Sequence, residues 1–110
     1  MPELDEKTVQ IATTVIIHAG NARGLVNQAL RAADAGDLAA GAAQIGAAEE
    51  ELRAAHRIQM EMIQSEARGE TMAFSILLVH AQDTLMVAMS EVNMAKHMLD
   101  LYKKLSARSE

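Results

Sequence analysis

Residues 78–105 read LVHAQDTLMVAMSEVNMAKHMLDLYKKL, and this stretch decides the fold. Its apolar residues recur at intervals of three and four, which is the period of an amphipathic helix. Placed at about 100° per residue, they form two neighbouring stripes. Together the stripes cover an arc of roughly 200°, whereas a surface helix of a globular domain buries an arc of about 100°. The first stripe comprises Leu78, Ala81, Leu85, Ala88, Val92, Ala95 and Leu99, and the second stripe comprises Val87, Met94, Met98, Leu101 and Leu105.

The two stripes need two different partners. The first stripe can pack on the other helices of the chain, but the second has no obvious partner within it. Contiguous exposed apolar surface usually marks an interface, so the sequence predicts a symmetric homo-oligomer in which copies of this helix face one another. The alternative is a small bundle without a partner, whose wide core would be rich in the eight methionines of the chain.

Two further helical patterns precede this one. The first predicted helix spans about residues 5–33 and the second about 38–67, and the third is expected from about 72 to 105. The connections between them are too short for anything but antiparallel neighbours. The sequence therefore predicts one all-α domain over residues 1–110, an up-down-up bundle of three long helices.

Glycines mark the expected interruptions of the helical pattern. Gly36 suits the left-handed residue that ends a helix, and Asp37 suits the N-cap of the next one. Gly20 and Gly24 predict a kink or a short break in the first helix, since each costs on the order of 1 kcal/mol in a helix interior.

Composition and charge exclude several classes of function. The formal net charge is −5 and no face collects Lys and Arg, so the basic surface of a nucleic-acid-binding protein is missing. The chain has no cysteine, which excludes thiol nucleophiles and zinc–thiolate sites and fits a cytoplasmic location. The acidic N-terminal residues do not resemble a signal peptide. No apolar run approaches the roughly 20 residues of a membrane span, so no direct membrane insertion is expected.

His80 interrupts the apolar run that leads into the third helix. As a metal ligand it would need further His or carboxylate ligands, and no HExxH or comparable pair is present. As a nucleophile it could accept a phosphoryl group, because neutral imidazole is nucleophilic near pH 7. From the residues alone, a structural histidine with one hydrogen-bond partner is the more common outcome. A structural role is also expected for His18, on the apolar side of the first helix, and for His56, beside the apolar face of the second.

Asp83 follows His80 by three residues and so lies on the same helix face, at the edge of the second stripe. If copies of Asp83 met at a symmetry axis, they would repel each other by about 4 kcal/mol per pair at ~4 Å and an effective dielectric of ~20. A hard divalent cation held by several carboxylate oxygens would reverse that sign. Otherwise Asp83 is exposed or pairs with His80.

Several segments together resemble the lactose/cellobiose class of phosphotransferase-system enzyme IIA. The segment LLVHAQDTLM at residues 77–86 resembles the active-site segment of that family. The resemblance extends over nearly the whole chain at matching spacings, through Gly20-Asn21-Ala22-Arg23, Ala35-Gly36-Asp37, Ala55-His56 with Gln59, and Leu101-Tyr102-Lys103.

The resemblance implies a homotrimer of three-helix subunits that forms a nine-helix bundle. His80 would be phosphorylated on Nε2, receiving phosphate from the phosphocarrier HPr. It would pass that phosphate to a cognate enzyme IIB during uptake of a disaccharide of the cellobiose, chitobiose or lactose type. The resemblance also implies that Asp83 coordinates Mg²⁺ on the threefold axis and that Gln82 lies close to the phosphoryl group.

Thr84 departs from the family pattern, which has a second histidine one turn after the first. A threonine hydroxyl can donate one hydrogen bond but carries no charge. Transfer is therefore expected to survive with altered stability of the phosphohistidine. The alternative is a non-catalytic helical interaction or regulatory subunit related to enzyme IIA, in which Thr84 impairs transfer.

The surroundings of His80 are expected to serve protein docking. With a helix that begins near residue 72, His80 would lie more than two turns from the helix start, where the helix dipole has faded. The apolar residues Ile76, Leu77 and Val79 are better explained as a small docking surface for transient protein partners.

Overall fold

The computed structural model describes residues 6–70 and 75–109 and consists of three long helices. These are α1 (Glu6–Asp34), α2 (Leu38–Ala67) and α3 (Ile76–Ser109), and the described residues contain no strand. Cross-helix contacts fix the directions. Residues 18 and 28 of α1 pair with 51 and 44 of α2, whereas 23 and 34 of α1 pair with 91 and 102 of α3. Helices α1 and α3 are therefore parallel and α2 is antiparallel to both. The predicted all-α, up-down-up architecture is confirmed.

The helix bounds agree with the sequence at α2 and differ at α3. The predicted start of the third helix near residue 72 lies outside the described residues, and the described helix begins at Ile76. Its predicted end at Leu105 was wrong, since α3 continues to Ser109. The residues after Leu105 include neither Gly nor Pro, so no local signal ends the helix there.

Helix α1 passes through Gly20 and Gly24 without interruption, so of the two predicted alternatives, a kink or a short break, the short break was wrong. Both glycines lie on the exposed side, where an added Cβ would meet nothing within 4 Å. The neighbouring Ala19, Ala22 and Val26 are buried. Tertiary packing of this buried side offsets the poor helix propensity of the two glycines.

The connection between α1 and α2 has the predicted chemistry. Gly36 adopts a left-handed φ of 92°, and Asp37 Oδ1 accepts a hydrogen bond from the Ala40 amide at 3.0 Å. One turn into α2, Gly41 is buried against α1 and α3. A Cβ there would lie 3.1 Å from the Ala29 carbonyl oxygen and 3.2 Å from Leu99 Cδ2, so this glycine permits the close approach of the helices.

The two stripes of α3 lie in different environments. In the first stripe Leu78 is half-buried and the other residues are buried, with Leu85 fully inaccessible. All residues of the second stripe are exposed, by 40% at Met98 up to 62% at Leu105. The chain therefore fills its core with the first stripe and presents the second on its surface. None of the described helices is long and apolar enough to span a bilayer.

Candidate functional site

Ser75 sets the start of α3 and thereby the position of His80. The Ser75 side chain is buried, and its Oγ accepts a hydrogen bond from the Leu78 amide at 3.0 Å, as an N-cap does. His80 therefore lies in the second turn of the helix. It is closer to the helix start than expected, since the sequence placed it more than two turns away. The helix dipole still contributes little there, because it acts mainly within the first turn. Sequence reasoning missed this cap, although a serine directly before an apolar run is a signal for one.

The His80 side chain is exposed on the surface of α3. Among the described residues, its ring nitrogens have no hydrogen-bond or ion-pair partner. A structural histidine would use at least one of its two ring nitrogens within the protein. The imidazole is thus accessible and unengaged, which favours a chemical role over a structural one.

Apolar residues precede His80 in the first turn of α3, and two of them are exposed. Ile76 is 82% exposed and Val79 39% exposed, while Leu77 is half-buried. Exposed apolar surface of this kind usually marks a site that a protein partner covers. The arrangement agrees with the expected docking surface.

Thr84 is bonded to the backbone of His80 rather than to its side chain. Its hydroxyl donates a hydrogen bond to the His80 carbonyl oxygen at 2.7 Å, the i to i−4 contact that threonine often makes within helices. A hydroxyl has one proton to donate. While this bond exists, Thr84 has no donor left for a group carried on the imidazole.

Gln82 and Asp83 complete the set of residues singled out from the sequence. Gln82 is half-buried and Asp83 is exposed. Within the described residues Asp83 forms no ion pair with His80, so the alternative of a pair between the two is not what the structure shows. Asp83 instead lies next to the exposed apolar side chains of Met86 and Val87.

Within the described residues of one chain, no three His, Cys, Asp or Glu side chains come together. These residues of a single chain therefore form no metal site by themselves. Asp83 offers a single carboxylate, and Mg²⁺ is held by several oxygen ligands. Any metal that uses Asp83 must therefore draw further ligands from other copies of the chain or from water.

Ion pairs also connect α1 to the other two helices. Arg23 donates two hydrogen bonds to Glu91, from Nε to Oε2 at 3.0 Å and from Nη2 to Oε1 at 2.9 Å, and this carboxylate raises the pKa of Arg23. His18 is half-buried, and its Nδ1 lies 2.6 Å from Glu51 Oε2, which confirms the predicted boundary histidine with one hydrogen bond. Sequence reasoning did not find the partners, because the paired residues lie far apart in the chain.

His56 is exposed and lines a groove of about 450 Å³ between α2 and α3. Leu52 and Met89 form part of its apolar lining, and Lys96 lies at its edge, paired with Glu49. The groove does not include His80. An exposed side chain without a hydrogen-bond partner in the described chain does not support the structural role expected for His56.

Comparison with protein families and with known proteins finds matches of the same kind. The family described as "PTS system, Lactose/Cellobiose specific IIA subunit" matches residues 10–103. The oligo-beta-mannoside-specific EIIA component of the phosphotransferase system of Bacillus subtilis (strain 168) is 48% identical over 94 residues, which are 86% of each chain.

Solved structures give the same result. The crystal structure of the cellobiose-specific enzyme IIA from Bacillus anthracis superposes with a TM-score of 0.89 at 42% identity, covering 94% of this chain and 95% of that one. The IIA(Chitobiose) of Escherichia coli, in solution structures of its complex with HPr, superposes with a TM-score of 0.79 at 33% identity, covering 93% and 99%.

Proposed function

The chain belongs to the lactose/cellobiose-specific IIA family of the phosphotransferase system, and from this premise we propose that His80 is the residue that carries the phosphoryl group. IIA subunits are phosphotransferase components of this sugar-transport system and carry a phosphohistidine. The assignment to His80 is carried by its place in the segment at residues 77–86, which resembles the active-site segment of the family, and by an imidazole that is exposed and has no partner among the described residues. His18, by contrast, is engaged with Glu51.

The proposed donor is phosphorylated HPr and the proposed acceptor is a cognate enzyme IIB. In the first step the lone pair of His80 Nε2 attacks phosphorus, forming an N–P bond while the bond between phosphorus and HPr breaks. In the second step the N–P bond breaks as phosphorus bonds to enzyme IIB. The solved complex of a related IIA with HPr supports the first partner. Both transfers would take place in the cytoplasm, during uptake of a disaccharide of the cellobiose, chitobiose or lactose type.

The docking surface for both partners would be the exposed apolar side chains of Ile76 and Val79 around the imidazole. A carrier must release each partner after transfer, and small interfaces suit such transient encounters. Covering the site during transfer would also exclude water, which otherwise hydrolyses a reactive intermediate.

We further propose that three copies assemble through the second stripe of α3. The stripe presents contiguous apolar side chains that remain 40–62% exposed in the single chain. Threefold assembly would place Asp83 of each copy near the axis, as part of a Mg²⁺ site. The exposed carboxylate on an apolar face fits this role, because the cation would neutralise the mutual repulsion of the copies. Gln82, half-buried and two residues after His80, is the proposed neighbour of the phosphoryl group.

Incubation with phosphorylated HPr tests the assignment of His80. We expect uptake of one acid-labile phosphate per chain, and no uptake by His80→Ala. His56→Ala is the matched control, because His56 is also exposed on a helix surface. Uptake by His80→Ala equal to that of the wild type would refute the assignment. Uptake by the wild type without onward transfer to enzyme IIB would instead favour the regulatory alternative, in which Thr84 impairs transfer.

Mn²⁺ in place of Mg²⁺ tests the metal site by electron paramagnetic resonance. The wild type should bind one ion per three chains, and Asp83→Leu should bind none yet remain trimeric or become more stable, because an apolar side chain replaces a charge at the interface. A trimeric Asp83→Leu variant that binds Mn²⁺ as the wild type does would exclude Asp83 as the ligand.

A further inference from the structure

Two lines of residues with a period of seven run along the exposed face of α3. One line is Asp83, Ser90 and His97, and the other is Val87, Met94 and Leu101. Their alternation at spacings of four and three is the spacing of a coiled-coil seam. All six residues are exposed in the chain, so the whole seam is available to other copies.

Neither the core nor the proposed transfer chemistry assigns a role to His56 or His97, and of these two His97 lies on the seam. Its side chain is exposed and has no hydrogen-bond or ion-pair partner among the described residues. The flanking Met94, Met98 and Leu101 are exposed by 53%, 40% and 59%. Copies that cover these apolar side chains would also cover the imidazole, and a buried imidazole without a polar partner is costly.

The spacing of the seam links His97 to Asp83. The two residues lie two heptads apart, which is about 21 Å along the helix at a rise of about 1.5 Å per residue. A straight helix would drift by about 20° per heptad, but helices that cross at about 20° and supercoil keep a heptad position on the same side. An assembly that brings copies of Asp83 to its axis therefore brings copies of His97 there as well.

We propose that in this assembly the His97 imidazoles of three copies bind one transition-metal ion of the Zn²⁺ class. This inference rests on the trimer of the proposed function and goes beyond it. Three histidine nitrogens with water in the fourth position are an established ligand set for zinc, with Zn–N distances of about 2.0–2.1 Å. Each chain supplies one imidazole, so the site is incomplete without the other copies.

Ligand chemistry separates this site from the one at Asp83. Imidazole nitrogen binds Zn²⁺, Co²⁺ and Ni²⁺ well, whereas carboxylate oxygen suits Mg²⁺. The two layers of the seam should therefore select different ions, and removal of one layer should leave the other intact.

The test is a Co²⁺ titration of untagged protein that has been treated with a chelator, with the oligomeric state measured by sedimentation. We expect visible absorption bands of tetrahedral Co²⁺ that saturate at one ion per three chains. His97→Asn should lose the bands while remaining trimeric, since Asn is tolerated within coiled-coil seams. His56→Asn and Asp83→Leu should keep them, which controls for adventitious binding to an exposed histidine and for binding at the carboxylate layer.

The other possible outcomes contradict the proposal, and they show whether the metal site alone or the trimer as well is wrong. A trimeric wild type that lacks saturable binding, binds Co²⁺ at another stoichiometry, or binds it unchanged in His97→Asn would overturn the inference and leave the proposed trimer standing. A wild type that is monomeric throughout the titration would overturn the trimer and this site together. Neither result bears on phosphate uptake at His80, which the HPr experiment measures separately.

Discussion

Met94→Gln is the sharpest test of the proposed assembly. Met94 lies in the middle of the second stripe and is 53% exposed in the chain. Glutamine has nearly the length and the helix propensity of methionine, so the fold of the single chain should be unaffected. The substitution removes apolar surface from the seam and places an amide there, which must be desolvated when copies associate.

The magnitude follows from the exposed fraction. Full burial of a methionine side chain contributes about 1.5–3 kcal/mol, so burial of the remaining 53% contributes about 0.8–1.6 kcal/mol per chain. Three chains lose about 2.4–4.8 kcal/mol, which raises the trimer dissociation constant roughly 50- to 3,000-fold at 1.4 kcal/mol per factor of ten. Since that constant has the dimension of concentration squared, the concentration of half-dissociation rises by its square root, about 7- to 50-fold.

Sedimentation velocity over a dilution series measures this concentration. Ile17→Gln is the matched control, because Ile17 is 54% exposed but lies on α1, on the side opposite the buried Val15 and Ala19. The control should dissociate at the same concentration as the wild type. If Met94→Gln also dissociates at the wild-type concentration, or if Ile17→Gln shifts it equally, the second stripe is not the interface.

Three further predictions concern the bundle that presents the site. Tyr102 is the single tyrosine, and its hydroxyl donates a hydrogen bond to Asp34 Oδ1 at 3.2 Å. The charge of Asp34 raises the pKa of Tyr102. Ultraviolet titration should therefore give a midpoint above 10, and Asp34→Asn should lower it. Because the pKa of Tyr102 is higher in the folded than in the unfolded state, the stability contributed by the neutral tyrosine is fully present below the unfolded pKa. It is lost as the pH rises through the folded pKa. Gly41→Ala should lower the free energy of unfolding, because overpacking costs about 1–3 kcal/mol and the new Cβ would lie 3.1 Å from a backbone oxygen of α1. Gly24→Ala, whose new Cβ would meet nothing within 4 Å, should raise that free energy by up to about 1 kcal/mol. Urea unfolding of the two variants and the wild type measures both changes. Ser75→Ala should cost about 1 kcal/mol and increase amide hydrogen exchange in the first turn of α3; unchanged exchange would exclude Ser75 as the cap.

Local spacing was sufficient to predict most of the fold. The period of apolar residues separated the two stripes of α3 correctly, because burial on a helix follows directly from the angle between residues. Gly36 and Asp37 marked the first connection, since each has a specific backbone or capping requirement that few other residues meet.

The sequence misled where tertiary packing outweighs local preference. Gly20 and Gly24 do not interrupt α1, because the alanines and valine of its buried side hold the helix against its neighbours. Helix α3 continues beyond its last large apolar residue, Leu105. A helix end without a Gly or Pro signal depends on the balance of end fraying and propensity, which periodicity does not measure.

The sequence singled out residues for the candidate site but could not predict the hydrogen bonds around them. The position of His80 in an apolar run singled it out, and the structure leaves that imidazole exposed. Arg23 was noticed as part of a sequence motif, but its partner Glu91 could not be, because the pairing depends on how α1 and α3 pack. Ser75 was overlooked because the helix was expected to begin earlier.

A hydrogen bond within the chain limits what Thr84 can do in place of a histidine. A histidine at this position, as in the family pattern, has two ring nitrogens and a charge that depends on pH, so it can act on a neighbouring group. Threonine lacks the charge, and its single donor is used by the His80 carbonyl. A phosphoryl group on His80 would therefore gain neither charge nor a hydrogen bond from this position unless the hydroxyl rotates and gives up its bond to the backbone. While the hydroxyl keeps that bond, the stability of the proposed phosphohistidine would depend on solvent, on Gln82 as its proposed neighbour and on groups from a docked partner or from the other copies of the proposed trimer.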